Sequence, residues 1–194
     1  MIFWQNTFLI RVPHYEVYKI HQHLDYFIQE KCRVKIPYSF KAAPGTGSDT
    51  CIQLRTAQPL ALPGEQTREI YLQAGDTVRF TTALAVIRHF IVDGKKRQIT
   101  PSPAEREGYI YTRLAKAGFS VQSLTAGEPE NVIVRKNVSV NASPILIPVS
   151  AIRVTCTVSQ AGEAEKALVY GIGRKRIFGF GFLASFSVNA DESF

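Results

Sequence analysis

The stretch Ala161-Gly162-Glu163-Ala164-Glu165-Lys166-Ala167-Leu168-Val169-Tyr170 runs directly into Gly171-Ile172-Gly173-Arg174-Lys175-Arg176-Ile177-Phe178-Gly179-Phe180-Gly181-Phe182-Leu183. The first ten residues read as a helix, and Phe178 to Val188 as a final aromatic strand. Between them, glycines at 171, 173, 179 and 181 bracket three consecutive cations. Glycine lets backbone come close to a ligand, because no Cβ stands in the way. A concave run of N–H groups with added Arg and Lys suits phosphate oxygens. A dinucleotide fingerprint is excluded: Arg176 stands where the third glycine belongs, and the helix precedes the loop instead of following it. The Lys-Ser/Thr ending of a mononucleotide P-loop is missing too. The plain alternative is a helix stop with solvated charges. The density of glycine around the cations favours a loop that contacts an extended phosphate backbone.

Working outward, the same order of elements appears twice. Ile2 to Val12 reads as a strand, His14 to Ile28 as a helix, and Val34 to Phe40 and Cys51 to Thr56 as strands. A short helix is expected around Glu65 to Tyr71, followed by a β-rich run from Thr77 to Ile91. In the second half, Asp93 to Arg97 reads as a turn with a basic tip. Pro103 to Ala117 reads as a helix stopped by Gly118. Phe119 to Leu124, Val132 to Val140 and Ile145 to Val158 read as strands, the last two joined as a hairpin. Each half is then β-α-β-β-α-β, the order of a ferredoxin-like (RRM-like) sandwich in the α+β class. The expected division is residues 1–82, carrying the first helix, and residues 83–194, carrying the hairpin and the glycine-rich loop.

The chain has 194 residues, 45% of them hydrophobic, which is enough for an ordinary core. Its formal charge of +7 favours a polyanionic partner. Cys32, Cys51 and Cys156 are far apart, without metal-ligand spacing, as expected for reduced thiols in a cytoplasm. Met1 to Asn6 lacks the positive region of a signal peptide. No apolar run approaches the ~18–20 residues that span a bilayer, so no membrane partner is expected. Lys31, Arg33 and Lys35, then Lys95, Lys96 and Arg97, and Arg135 with Lys136, extend the basic track.

On the first helix, Val17, Ile20, Leu24 and Ile28 centre the buried face. His14, Tyr18, His21 and Asp25 form a second stripe beside it. Tyr18 and His21 are three residues apart and stand side by side. Histidine exchanges a proton near neutral pH, and a phenol can donate to a reacting oxygen. No further histidine or carboxylate cluster completes a metal site, so neither a metal nor a cofactor is expected.

The tandem halves, Val17-Tyr18-Lys19-Ile20-His21-Gln22, the strand Val78-Arg79-Phe80 leading to Ile87, and the loop Gly171 to Gly181 together resemble one family. It is the CRISPR-associated endoribonucleases that process repeat RNA, in particular the CasE-like branch of Cascade-type or type IV systems. The resemblance spans nearly the full length, and its specificity sits in Tyr18, His21 and the loop. It implies a metal-independent cut at the 3′ side of a repeat stem-loop, by attack of the ribose 2′-OH on the adjacent phosphorus, to give mature guide RNA. It implies partners as well: the repeat RNA, the mature guide RNA and other effector-complex subunits. By match to the motif, His21 is the catalytic histidine and Tyr18 would position or polarise the site. A nearby cation would offset charge on the phosphorane; no motif assigns it, and Lys31 is the candidate taken for it. Arg174, Lys175 and Arg176, with Gly171, Gly173 and Gly179, would hold RNA; Arg135, Lys136, Lys95, Lys96 and Arg97 would extend the grip. A non-catalytic RNA-binding subunit is the alternative, since such a fold can serve as a platform without chemistry.

Overall fold

The computed structural model describes residues 1–135 and 144–189. In the first half, β1 (Ile2–Ile10) leads to α1 (Val17–Tyr26), which continues as a π-helical turn, Phe27–Lys31. Then come β2 (Tyr38–Pro44), β3 (Thr50–Thr56) and β4 (Gln66–Glu69). These strands form one antiparallel sheet in the order β2-β3-β1-β4. Apolar spacing dictates how α1 lies on it: Ile20 and Leu24, with Ile28 one turn on, are fully buried against Ile10, Phe40, Ile52, Leu54 and Leu60. Each such side chain contributes about 1.5–3 kcal/mol of burial.

The second half runs β5 (Thr77–Ala85), β6 (Arg88–Val92), β7 (Lys95–Ile99), α2 (Pro103–Lys116), β8 (Phe119–Ala126) and β9 (Glu130–Val134). It finishes with β10 (Ile145–Val158), α3 (Ala161–Tyr170), a 3-10 turn at Arg176–Phe178, and β11 (Ala184–Val188). The sheet order is β11-β5-β10-β8, with β9 on the first part of β10, and β6 and β7 form a separate hairpin. α2 starts at a capping box between Ser102 and Glu105, with Pro103 in its first turn. It buries Tyr109, Ile110 and Leu114 in a core with Phe80, Phe119, Val154 and Leu168. The fold is two ferredoxin-like halves in tandem, in the α+β class expected. Position 82/83, where the halves were expected to divide, lies within β5, which β10 pairs on both sides of it, from Thr77 to Ala85.

Four elements differ from the sequence expectation. The helix expected at Glu65 to Tyr71 is the strand β4, all four residues of which are exposed. Pairing to the free edge of β1 (Ile2 opposite Glu69, Gln5 opposite Gln66) decides the conformation there, not local propensity. β2 starts at Tyr38 rather than Val34, because Arg33 is left-handed (φ 55°) and Pro37 has no N–H for a ladder. The long β run splits after Ala85, and β6 leaves the sheet for its hairpin. That hairpin turns at Asp93-Gly94 with φ of 50° and 70°, as a two-residue turn requires, so Lys95–Arg97 belong to β7 and not to the tip. The last strand starts only at Ala184, because positive φ at Gly179 (84°) and Gly181 (81°) breaks an extended chain. The segment beyond Val134 in the expected strand to Val140 lies largely outside the described residues.

A third apolar cluster joins the halves. Ala85, Ile87, Val134, Ile147, Val149, Phe178 and Phe180 from the second half take Val17 and Tyr18 of α1 against them. The stripe of α1 that carries Tyr18 therefore faces the glycine-rich segment across this contact.

Candidate active site

α1 delivers Tyr18, His21 and Asp25 along one stripe, while Ile20 and Leu24 anchor the helix beneath. His14 lies before the helix begins and is exposed. The 3-10 turn packs on α1 and brings Phe178 against the stripe. Three rings meet there. The Tyr18 and His21 centroids are 6.4 Å apart, Tyr18 and Phe178 6.5 Å, and His21 and Phe178 5.9 Å with an interplanar angle of 88°. Phe178 is 6% exposed, so it forms a firm wall. His21 Nδ1 is buried and finds no hydrogen-bond partner among the described residues. Burial lowers the imidazole pKa below its ordinary value, and the Asp25 carboxylate partly offsets this. Asp25 in turn accepts a long hydrogen bond (3.4 Å) from the Tyr38 hydroxyl, whose pKa rises through burial and the nearby carboxylate. The ring at position 21 is thus a neutral, partly sheltered base at neutral pH.

The glycines of the turn have a structural cause. A Cβ at Gly181 would fall 1.9 Å from the Ile172 carbonyl oxygen, and one at Gly173 2.5 Å from Leu84 Cδ1. At Gly179 it would meet the Phe40 ring at 2.9 Å, and at Gly171 the Gly181 carbonyl at 3.0 Å. The close approach these glycines allow is to the protein itself: to Leu84 and Phe40 on the sheets, and to Ile172 and Gly181 within the turn. Backbone bonds complete the seat: Ile172 N–H donates to Gly181 O (2.8 Å) and Gly181 N–H to Ala83 O (2.7 Å).

The cations of the turn have unequal partners. Arg176 donates to the carbonyls of Tyr170 (3.1 Å) and Gly171 (3.3 Å), where α3 ends and carries partial negative charge. Arg174 is half-buried and lies 3.1 Å from His89 Nδ1 on β6, which ties the turn to the β6–β7 hairpin. Lys175 sits at the left-handed corner (φ 60°) that opens the 3-10 turn. Lys95 and Arg97 are exposed on that hairpin; the side chain of Lys96 is outside the described residues.

Arg135 lies with Tyr18, His14 and Lys19 around a cleft of about 780 Å³ between the start of α1 and β9. Lys136 falls outside the described residues. Lys31 is at the far end of the π-helical turn, roughly 15 Å along the axis from His21 at ~1.5 Å per residue, with its ammonium over the Tyr26 ring at 5.9 Å. The structure therefore brings Tyr18, His21, the cationic turn and Arg135 together and leaves Lys31 apart. Phe178 was not singled out in the sequence, although its place two residues after Arg176 was a usable signal. Among the described residues no group of three or more His, Cys, Asp or Glu is placed to hold a metal. No described helix is long and apolar enough to cross a membrane.

A family model described as CRISPR associated protein matches residues 48–184. The chain belongs to this family. Several solved structures share the fold over almost all of the chain's length. The CRISPR endoribonuclease Cse3 bound to a 19-nucleotide RNA superposes with a TM-score of 0.70 at 17% identity, over 97% of this chain and 99% of that one. Cse3 of Thermus thermophilus, bound to an RNA representing a pre-cleavage complex, gives 0.69 at 17% identity, over 98% and 100%. The CRISPR-associated protein Cas6e of Escherichia coli K-12 gives 0.65 at 17% identity, over 97% and 98%. We found no match among curated protein sequences. In this CRISPR-associated chain the fold places α1 and the glycine-rich turn in contact, although its sequence has diverged far from those relatives.

Proposed function

We propose that the protein is a metal-independent endoribonuclease that binds the stem-loop of CRISPR repeat RNA and cuts at its 3′ side. The observation that carries this reading is the His21 ring lodged against Phe178 of the cationic turn, with Tyr18 beside it at a cleft that also holds Arg135. The neutral imidazole takes the proton of the ribose 2′-OH. The 2′-oxygen bonds to phosphorus, the P–O5′ bond breaks, and the proton returned to the 5′-oxygen leaves a 2′,3′-cyclic phosphate upstream. The Tyr18 phenol donates to a phosphoryl oxygen, and Arg135 offsets charge on the phosphorane. Lys175, Arg174 and the exposed hairpin cations Lys95 and Arg97 hold the RNA backbone. Lys31 is too remote for the reacting linkage and serves as an outlying backbone contact. Similar solved structures are an endoribonuclease bound to RNA and an RNA-guided surveillance complex; the same association is proposed here, with the product retained as guide RNA and other effector subunits as partners.

A binding-only subunit is favoured by one observation: Tyr18 lines the cleft between the start of α1 and β9, and His21 does not. Incubation with a repeat hairpin in EDTA separates the two readings. A nuclease yields a cyclic-phosphate product, and a hairpin with a 2′-deoxy nucleotide at the cut stays intact. Bound but uncut ribose RNA identifies a binder.

A further inference from the structure

Arg55 is on β3, in the first half, yet two of its three hydrogen bonds leave that half. It is 6% exposed. Its Nε donates to Gln5 Oε1 on β1 (3.2 Å), while Nη1 donates to Leu168 O (3.1 Å) and Leu183 O (2.8 Å). Leu168 is in the last turn of α3, and Leu183 directly precedes β11. One nitrogen thus bridges both stems of the segment 171–183. The guanidinium lies 4.1 Å from the Phe182 ring centroid and 5.9 Å from that of Phe3. Burial lowers its pKa to about 10, so the charge persists at neutral pH. Carbonyl oxygens, the negative end of α3 and two aromatic faces offset that charge. Ser39 on β2 adds a hydrogen bond from Oγ to Val169 O (2.6 Å).

A buried guanidinium is a costly way to fill space; apolar residues of similar volume often do as well or better. Its forked donors suit a geometric task that apolar residues cannot perform. Beyond the two bridged carbonyls, the segment closes on itself through Ile172 and Gly181, rests on Ala83 and on the Phe40 ring, and ends with Phe178 on His21.

We propose that Arg55 is a positioning residue for RNA cleavage: by drawing Leu168 and Leu183 together, it closes the neck of the glycine-rich turn and holds Phe178 against His21. The proposal rests on the nuclease reading above. The ionisable neighbours of His21 are Asp25 and Tyr18 on its own helix, and the turn packed on it presents the uncharged Phe178 ring. A loosened neck therefore changes His21 chiefly through exposure to water.

Arg55→Lys keeps the charge and loses the fork; Ser39→Ala removes the second tie. Both are compared with the wild type in hairpin affinity, single-turnover cleavage, thermal melting and the NMR titration of His21. For folded Arg55→Lys the expected result is unchanged affinity, cleavage slowed about 10- to 100-fold, and a His21 midpoint moved up toward about 6.5. Ser39→Ala moves the same readouts in the same direction by less. An unchanged His21 midpoint in folded Arg55→Lys overturns the proposal, whatever happens to the rate. If Arg55→Lys does not fold, the midpoint in Ser39→Ala decides. If the wild type binds but never cuts a repeat hairpin, the nuclease reading fails by itself, and the His21 midpoints still judge whether Arg55 seats the turn.

Discussion

The imidazole of His21 stands edge-on to the ring of Phe178, with 5.9 Å between centroids and 88° between planes. The two residues come from opposite halves of the chain, 157 positions apart in sequence. Their contact joins a proton-transfer group to the turn that carries Arg174, Lys175 and Arg176.

His21→Ala removes the proposed base without touching the cations of the turn. A positioned acid–base group gives roughly 10²–10⁴-fold, so single-turnover cleavage of a repeat hairpin is expected to slow by that factor with RNA affinity retained. Cleavage at the wild-type rate would remove His21 from the mechanism.

Burial under Phe178 lowers the His21 pKa, while Asp25 pulls it the other way. The wild-type NMR midpoint is therefore expected below about 6.5, and Asp25→Asn is expected to push it lower still. With His21 as base, the rate falls as pH drops through that depressed value. The stability effect has the same sign: the unfolded chain binds the proton more readily, so stability is lost as pH falls below about 6.5 toward the folded pKa. His21→Gln is expected to reduce that acid loss in pH-dependent melting curves. A midpoint above 6.5 would contradict the sheltered geometry.

Much of this site was legible in sequence, and the limits have physical causes. Ile20, Leu24 and Ile28 repeat at helical spacing, so the buried face of α1 and the neighbouring Tyr18–His21 stripe could be derived from one turn of geometry. α3 was legible because Gly171 ends its periodic run. β4 was not, because four polar residues, Gln66 to Glu69, become a strand only through the edge of β1. The glycines misled in a specific way. Their missing Cβ was read as room for a ligand, but the groups that come close in the structure are Leu84, Phe40 and Ile172, which only tertiary structure brings there. Arg55 was invisible for the same reason: within Cys-Ile-Gln-Leu-Arg-Thr it reads as an outward-facing strand residue, and its partners in the second half lie more than 110 positions away. Lys31 looked close to His21 in sequence, but ten residues of nearly continuous helix separate them.

Two adjacent cations of the turn are expected to separate binding from folding. Lys175→Ala should weaken hairpin binding and lower the slope of log affinity against log salt by about 1, with the melting temperature unchanged. Arg176→Ala should lower melting as well, because Tyr170 and Gly171 lose their donor at the end of α3. Equal melting temperatures for the two variants would show that the α3 contact carries no weight.

Gly181→Ala tests whether the turn is a rigid seat or a loose loop. Its φ is 81°, and a Cβ would lie 1.9 Å from the Ile172 carbonyl oxygen, a backbone atom that the Gly181–Ile172 hydrogen bond holds in place. The strain adds to the left-handed penalty of roughly 1–2 kcal/mol, so a total near 3 kcal/mol or more is expected. In a chain of this length that lowers the melting temperature by roughly 6–12 °C. Gly94→Ala is the matched control, since φ there is 70° and nothing lies within 4 Å of the added Cβ. It carries the backbone penalty alone. Gly181→Ala is also expected to slow cleavage at temperatures where it remains folded, because the displaced backbone is the one that carries Phe178 to His21. Equal melting for the two alanine variants would mean that the turn yields to the added methyl, and a turn that yields so readily could not hold an aromatic wall against the imidazole.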